Sequence, residues 1–132
     1  MTYAIDIPFK AAVDLSAKQY YLAIAGSVAD EVNVQSSDAA SCIGVLQNDP
    51  KAGGEAVVRV FGRSWVYGDT SEAASPITYG GLVKSGSDGQ ATGFVAGGAC
   101  KFSLGYALDA LASGSGVLIE MFVLGPQKMA DA

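Results

Sequence analysis

The main candidates for acid–base chemistry in this sequence are carboxylates, because its 132 residues include no histidine, the commonest general base. That absence excludes the Ser-His-Asp triad, the Cys-His pair and the HExxH zinc site. Two carboxylates can still act as acid and base, as they do in glycosidases. The loosely grouped candidates are Asp30, Glu31, Asp69 and Glu72. All four fall in predicted loops or at strand ends, where solvated carboxylates are ordinary, so we expect no catalytic residue and no enzymatic activity.

Other reactive patterns are also missing. No lysine has a serine three residues before it, and Lys84 with Ser85 lacks the Gly-Lys-Ser/Thr order of a phosphate-binding loop. Cys42 and Cys100 are too far apart in sequence for a zinc ribbon or a CxxC motif. We expect two buried thiols rather than a disulfide, since unpaired cysteine is among the most buried residue types. The sequence therefore predicts neither a metal nor a cofactor.

The aromatic residues offer a different kind of site. Tryptophan and tyrosine anchor interfaces because they bury a large area and keep a polar group. Trp65 could therefore belong to a patch that binds carbohydrate or protein, or it could pack in the core. Tyr67 is a candidate for the same patch. The other tyrosines considered with them are Tyr20, Tyr21, Tyr79 and Tyr106.

The elements that must position these residues are short strands. Seventeen glycines and four prolines separate apolar runs of about four to eight residues, a spacing typical of an all-β fold, either a small β-barrel or a β-sandwich. The central feature is a strand in CIGVLQN, a turn in DPKAGG and a second strand in EAVVRVFGRSWVY. Gly62 interrupts that second strand, which predicts a bulge or a bend.

Further segments predict two hairpins and a last strand. QYYLAIAG and EVNVQ favour one hairpin, and SGSDG predicts a turn between strands near 82–84 and 90–92. SSDAAS at 36–41 is a predicted loop. GYALDALAS could form one or two helical turns. The last strand, VLIEMFVL, is apolar on both faces apart from Glu120, so we expect it to be central in the core or at a subunit seam.

The N-terminal segment alternates apolar and mostly polar or small residues, which is typical of a strand with one apolar face. Pro8 cannot donate to a central ladder, so we predict an extended arm or an edge strand. An arm could add a strand to the sheet of a neighbouring subunit; the alternative is a first strand that closes its own barrel. The candidate interface residues of this segment are Tyr3, Ile5, Ile7 and Phe9.

Length and composition limit the number of domains and the kinds of partner. A chain of 132 residues fits one domain, which we divide into an arm or edge strand at 1–12, a β-rich domain at 13–125 and a tail at 126–132. Half of the residues are hydrophobic, so we expect a partner or further copies to cover some apolar surface. The net charge is −5 with scattered basic residues, which disfavours nucleic acid.

Two further features concern the membrane and the cellular compartment. The first residues lack a basic region followed by an apolar run, so no secretory signal is visible. The longest nearly apolar run covers only 117–124, whereas a membrane-spanning helix needs about 20 residues. We therefore expect a protein that is made in the cytoplasm and has no membrane partner.

Two stretches, 14–26 and 42–66, resemble the small head-decoration, or capsid cement, proteins of tailed bacteriophages. Chains of that family carry an IGVLQN strand, a PxAGE-like turn and a VRVxG strand. Here these motifs lie at 43–48, at 50–55 with an extra glycine, and at 58–62. The likeness continues more weakly to the end of the chain. The aromatic N-terminal segment, the stretch GDTSEAASP and Trp65 depart from the family pattern.

The resemblance implies a structural virion protein. It implies a compact β-rich domain that forms homo-oligomers, often trimers, and binds the major capsid protein on the outer surface of the phage capsid. Such a protein is made in the host cytoplasm and stabilises the assembled shell. A second interpretation of the same residues is a carbohydrate- or receptor-binding module of a virion, with Trp65 and the tyrosines as its stacking platform.

Overall fold

The structure is a computed structural model that describes residues 4–34, 42–70, 76–86, 88–94 and 102–128. Within those residues it contains strands and no helix, which confirms the predicted all-β fold. The strands are β1 (Ala4–Ala11), β2 (Leu22–Ala25), β3 (Glu31–Val34), β4 (Gly44–Leu46), β5 (Glu55–Asp69), β6 (Leu82–Ser85), β7 (Ala91–Gly93), β8 (Phe102–Ala107) and β9 (Ser115–Lys128).

The strands pair in one sheet that closes into two circuits sharing β5. In the N-terminal circuit, β1, β3, β2, β4 and β5 pair in that order, and β5 pairs back to β1. In the C-terminal circuit, β5, β7, β6, β8 and β9 pair in that order, and β9 pairs back to β5. A single register pair, Gly68 with Ala91, joins β5 to β7. The sheet is therefore closed into rings without forming a strict barrel.

Strand β5 passes from one circuit to the other at Gly62. This glycine has a φ of 114° and is the register partner of both Ala4 in β1 and Val123 in β9. Positive φ in this range favours glycine because it has no Cβ. The register between β1 and β5 also shifts between Ile5 and Asp6. The predicted bend at Gly62 is thus the point where β5 exchanges one antiparallel partner for another.

The recognised motif around the β4–β5 turn has a clear physical role. The Asn48 side chain donates a hydrogen bond to the carbonyl of Glu55 at 2.9 Å, and its Oδ1 accepts one from the N–H of Val57 at 3.0 Å. Gly53 in the turn has a φ of 79°. The asparagine therefore fixes the start of β5 against the end of β4, as the strand, turn and strand prediction requires.

Buried apolar side chains form two clusters. One cluster includes Val32, Leu46 and Val58 and lies mainly in the N-terminal circuit. The other includes Val66 and Met121 and lies mainly in the C-terminal circuit. Full burial of such a side chain contributes about 1.5–3 kcal/mol. Each circuit therefore supplies its own part of the core.

The two predicted hairpins, the last strand and Cys42 all lie in the described residues. The hairpins β2–β3 and β6–β7 are confirmed as antiparallel pairs. Strand β9 was predicted to be central in the core or at a subunit seam. It pairs with both β5 and β8, and one of its faces is buried, whereas Leu118 and Leu124 on the other face are exposed. It continues to Lys128, into the segment that we named a tail. Cys42 is buried in the second cluster, and Cys100 lies outside the described residues.

The helical turns predicted for GYALDALAS are wrong. Its first three residues, 105–107, are the end of β8, and Leu111 forms an isolated β-bridge with Ile77. Gly105 explains the difference, because a Cβ at this position would meet the backbone carbonyl of Phe122. Close strand packing here outweighs the helical propensity of the neighbouring residues.

In the described part of the chain, no helix has the length and apolar character needed to cross a bilayer. The predicted loop at 36–41 and part of the long polar stretch, 71–75, lie outside the described residues.

Candidate functional site on the outer face of strands β5 and β9

Alternate residues in the second half of β5 point to opposite faces, as the pleat of a strand requires. Ser64 and Val66 are buried, whereas Phe61, Arg63 and Trp65 are exposed. Strand β9 repeats the pattern, with Ile119, Met121 and Val123 buried. The intervening residues of both strands consequently share a face that points away from the core.

The register of the two strands shows which residues meet on this face. Trp65 lies opposite Glu120, Arg63 opposite Phe122, and Tyr67 opposite Leu118. The exposed fraction is 46% for Trp65, 41% for Leu118, 40% for Leu124 and 37% for Phe61. We call this surface the β5–β9 outer face; its members are Phe61, Arg63, Trp65, Leu118, Glu120, Phe122 and Leu124.

Aromatic contacts order one end of the β5–β9 outer face. The ring of Phe122 meets the ring of Phe61 edge to face at 5.3 Å and stacks on Tyr106 at 5.5 Å. Such pairs contribute about 0.5–1.5 kcal/mol beyond the area they bury. Ordered rings lose little freedom when a partner covers them, which makes this end suited to binding.

One ion pair crosses the β5–β9 outer face. The Arg63 guanidinium donates two hydrogen bonds to Glu120, at 2.5 Å (Nη2 to Oε1) and 3.1 Å (Nε to Oε2). Hydrogen bonding to Glu120 raises the pKa of the Arg63 guanidinium. The face therefore carries no net charge, although the chain as a whole carries −5.

The structure places the candidate residues of the N-terminal segment within the chain's own sheet. β1 pairs with β5 from Ala4 opposite Gly62 to Lys10 opposite Glu55. Phe9 packs against the N-terminal core cluster, whereas Ile5 is 54% exposed opposite Phe61, and Ile7 is also exposed. Tyr3 lies outside the described residues. This pairing corresponds to the alternative in which the segment closes its own fold.

The two aromatic candidates in β5 lie in different surroundings. Trp65 is on the β5–β9 outer face, so the alternative that placed it in the core is wrong. Tyr67 is half-buried, and its ring lies 5.6 Å from that of Tyr21. Burial, with Asp88 and other acidic groups nearby, raises the pKa of Tyr21. Tyr67 therefore belongs to a tyrosine contact beside the outer face.

Sequence reasoning did not single out four residues of this face: Phe61, Leu118, Phe122 and Leu124. The sequence did indicate an exposed apolar face, because the last strand is apolar on both faces and only one face can pack in a single-layer core. The prediction of a subunit seam used that signal without identifying the residues. The β5–β9 register, which no local pattern reveals, brings them together.

The candidate acidic residues are not brought together. Asp30 and Glu31 lie at the start of β3. In the strand register, Lys10 of β1 lies opposite Glu31 on one side and opposite Glu55, the first residue of β5, on the other. Asp69 is the last residue of the same strand β5, and Glu72 lies outside the described residues. Among the described residues, no group of three or more His, Cys, Asp or Glu side chains could hold a metal ion.

Comparison with known proteins gives information on the fold. No family model and no curated protein matches this sequence. Among solved structures, the chain is similar to the N base of head fiber gp8.5 in bacteriophage phi29, with a TM-score of 0.63 and 17% sequence identity. The match covers 96% of this chain and 99% of that chain. The chain therefore has the fold of a phage head-fiber base domain over nearly its whole length.

Proposed function

We propose that this chain is a non-catalytic structural protein of a bacteriophage virion, and that it binds the major capsid protein on the outer surface of the capsid and stabilises the shell. The observation that carries the proposal is the fold match to a phage head-fiber base, which covers both chains almost completely. The motifs at 43–48, 50–55 and 58–62, which resemble capsid cement proteins, support the same class of virion protein.

The exposed surface suits a protein that acts by binding. Contiguous apolar surface on a small domain marks an interaction site, and the β5–β9 outer face has four large apolar side chains that are each at least a third exposed. A protein that binds only the assembled shell stabilises that state by mass action. At a concentration of 100 times Kd, each site contributes about 2.7 kcal/mol.

Purified virions with and without the gene test this proposal. Imaging should show added density on the outer surface of the capsid only when the gene is present. Particles that lack the protein should release their DNA at a lower temperature, and adding the purified protein should restore the original temperature. An unrelated protein of similar net charge, added at the same concentration, serves as the control. Absence of the protein from purified particles would reject the proposal.

A second candidate is a carbohydrate- or receptor-binding module of the virion. The observation that favours it is the exposure of Trp65 beside the Arg63–Glu120 pair, because an aromatic ring can stack on a sugar while charged groups bind its hydroxyls. Glycan-array binding that Trp65→Ala abolishes and Val13→Ala leaves intact would favour this candidate. If the wild-type protein binds no glycan, the capsid proposal remains the stronger one.

A further inference from the structure

We propose that the β5–β9 outer face binds a proline-rich segment of a partner protein in the polyproline II conformation. The inference goes beyond the proposed function and does not depend on it, since it rests on the hydrogen-bond donors, ring geometry and area of one sheet face. It commits to a short extended segment as the occupant. The isolated protein can test it, whereas only virions test capsid binding.

The face carries hydrogen-bond donors that the protein itself does not use. Within the described residues, neither the indole N–H of Trp65 nor the hydroxyl of Tyr106, which stacks on Phe122, has a hydrogen bond. Glu120 accepts from Nε and Nη2 of Arg63 and leaves Nη1 of that guanidinium for another acceptor. Indole and guanidinium groups donate and cannot accept. The face therefore suits a ligand that is rich in acceptors.

A proline-rich segment has the complementary hydrogen-bonding character. Proline has no N–H, so its peptide groups contribute carbonyl acceptors without donors. A polyproline II helix forms no internal hydrogen bonds, and its carbonyls point outward to donors on a partner. Aromatic-lined surfaces bind such segments because the helix is already ordered and loses little entropy.

The apolar area of the face matches a short segment rather than a folded partner. Large side chains of this kind can bury about 150–250 Å² each. Its four large apolar side chains are exposed by 37–46%, so they offer roughly 250–400 Å². A standard interface between folded proteins buries about 800 Å² on each partner. The face falls well short of that area and has the size needed to cover a few residues.

The aromatic rings are spaced like the turns of a polyproline II helix. Phe122 stacks on Tyr106 with 11° between the ring planes and contacts Phe61 edge to face, so these three rings form one wall. Trp65 forms the other wall, because it lies two residues along β5 from Arg63, the register partner of Phe122. With about 3.3 Å per residue and about 4.8 Å between strands, the Cα atoms of Trp65 and Phe122 are roughly 8 Å apart.

This separation is close to one turn of the ligand helix. Three residues of polyproline II, at about 3.1 Å each, span about 9 Å. Two prolines one turn apart would therefore contact the two walls, and the Arg63 guanidinium lies between the walls, where it can donate to the carbonyls in between. Because the backbone groups of β5 and β9 bond each other within the sheet, side chains alone provide the recognition.

The test is a titration of the isolated protein with acetylated decaproline. The chain has one tryptophan, so its fluorescence reports on Trp65 alone. Binding should shift the emission to shorter wavelength and saturate with a Kd below about 1 mM. A glycine- and serine-rich peptide of the same length is a flexible coil without preformed polyproline II structure, and it should cause no shift.

Two conservative variants test the donors, with calorimetry as the measurement. Tyr106→Phe keeps the ring that stacks on Phe122 and removes only its hydroxyl, and Trp65→Phe removes the indole N–H. Each should weaken decaproline binding at least threefold, because one hydrogen bond is lost. Tyr21→Phe is the matched control, since it makes the same change in a half-buried ring that contacts Tyr67 beside the face. It should leave the affinity unchanged.

Several results overturn the inference. One is no binding of decaproline up to about 10 mM, and another is equal binding of the flexible peptide. A third is unchanged affinity in both variants, once circular dichroism shows that they are folded. If a neutral oligosaccharide, or a higher concentration of the protein alone, shifts the Trp65 emission while decaproline does not, the face binds a sugar or a second copy instead. None of these results bears on whether virions carry the protein, so the two proposals fail separately.

Discussion

Strand β5 runs through both circuits, and its two halves can be compared residue by residue. On the inner side they are alike, because Ala56, Val58 and Val66 are fully buried. On the outer side the first half bears the Arg59–Asp6 ion pair and ends at Phe61, whereas the second half bears the Arg63–Glu120 ion pair and Trp65. The inner pattern is what any closed sheet of this kind needs. The two halves therefore differ in what they present outside the sheet: the first is tied to β1 by an ion pair, and the second carries a tryptophan that is 46% exposed.

Removal of β1 should have the largest effect among the changes that test this comparison. Deleting residues 1–10 takes away the strand that pairs with β5 from Glu55 to Gly62 and exposes the core cluster that Phe9 covers. We expect a loss of at least about 3 kcal/mol out of a typical total of about 5–15. For a domain of this size, that loss corresponds to a fall in Tm of roughly 10 °C.

Differential scanning calorimetry on the isolated protein checks this prediction, and deletion of residues 1–3 alone serves as the control. An unchanged Tm would contradict it and would support the alternative in which the segment is an arm that binds a neighbouring subunit. In that case capsid or subunit binding would weaken while the domain stayed folded.

Substitutions in the two buried clusters should destabilise the protein by similar amounts, because both halves of β5 pack against a buried core on their inner side. Leu46 and Met121 are both fully buried, one in each cluster. Replacing either by alanine removes buried methylene groups and leaves a cavity, which costs about 2–5 kcal/mol. Trp65→Ala, on the outer face, should cost the monomer much less. Urea unfolding at low protein concentration measures all three without a contribution from association, and a small cost for only one of the two core variants would break the equivalence.

The strands, the hairpin and the bend could be predicted from the sequence, because they depend on local patterns. The apolar run in EAVVRVFGRSWVY predicts a strand, and the Asp-Gly pair at 88–89 predicts the β6–β7 hairpin. Gly62 marks the bend since few other residues adopt its φ. Each of these signals lies within a few residues of the feature it predicts.

The outer face could not be predicted in the same way. Phe61 and Phe122 are distant in sequence, and only the β5–β9 register brings their rings within 5.3 Å. Whether Trp65 is buried depends on that register too. The helical turns predicted for GYALDALAS were wrong for a related reason, because the close approach of Gly105 to β9 is a non-local contact. Local propensity carries no information about which strand will lie alongside.

The smallest expected effects come from the two ion pairs of β5. The Arg59–Asp6 pair should contribute to the stability of the single chain, whereas the Arg63–Glu120 pair should not. Arg59 is bound by Asp6 and also donates a hydrogen bond to the carbonyl of Arg63 at 2.8 Å, and hydrogen bonding to Asp6 raises the pKa of Arg59. This pair ties β1 to β5 with both side chains at most a third exposed. We expect Asp6→Asn to cost about 0.5–1 kcal/mol and to leave the affinity for decaproline unchanged.

Glu120→Gln should show the opposite behaviour. Arg63 is 52% exposed, so water solvates its charge in the monomer, and loss of its partner should leave Tm unchanged at low protein concentration. When a ligand covers the face, the same charge would be buried without a partner, which is costly. Binding of decaproline should therefore weaken several-fold, as measured by calorimetry, and raised salt should not restore it. If both substitutions lower Tm equally and neither changes the affinity, the two halves of β5 do not differ in function, and the outer face serves only the fold of the single chain.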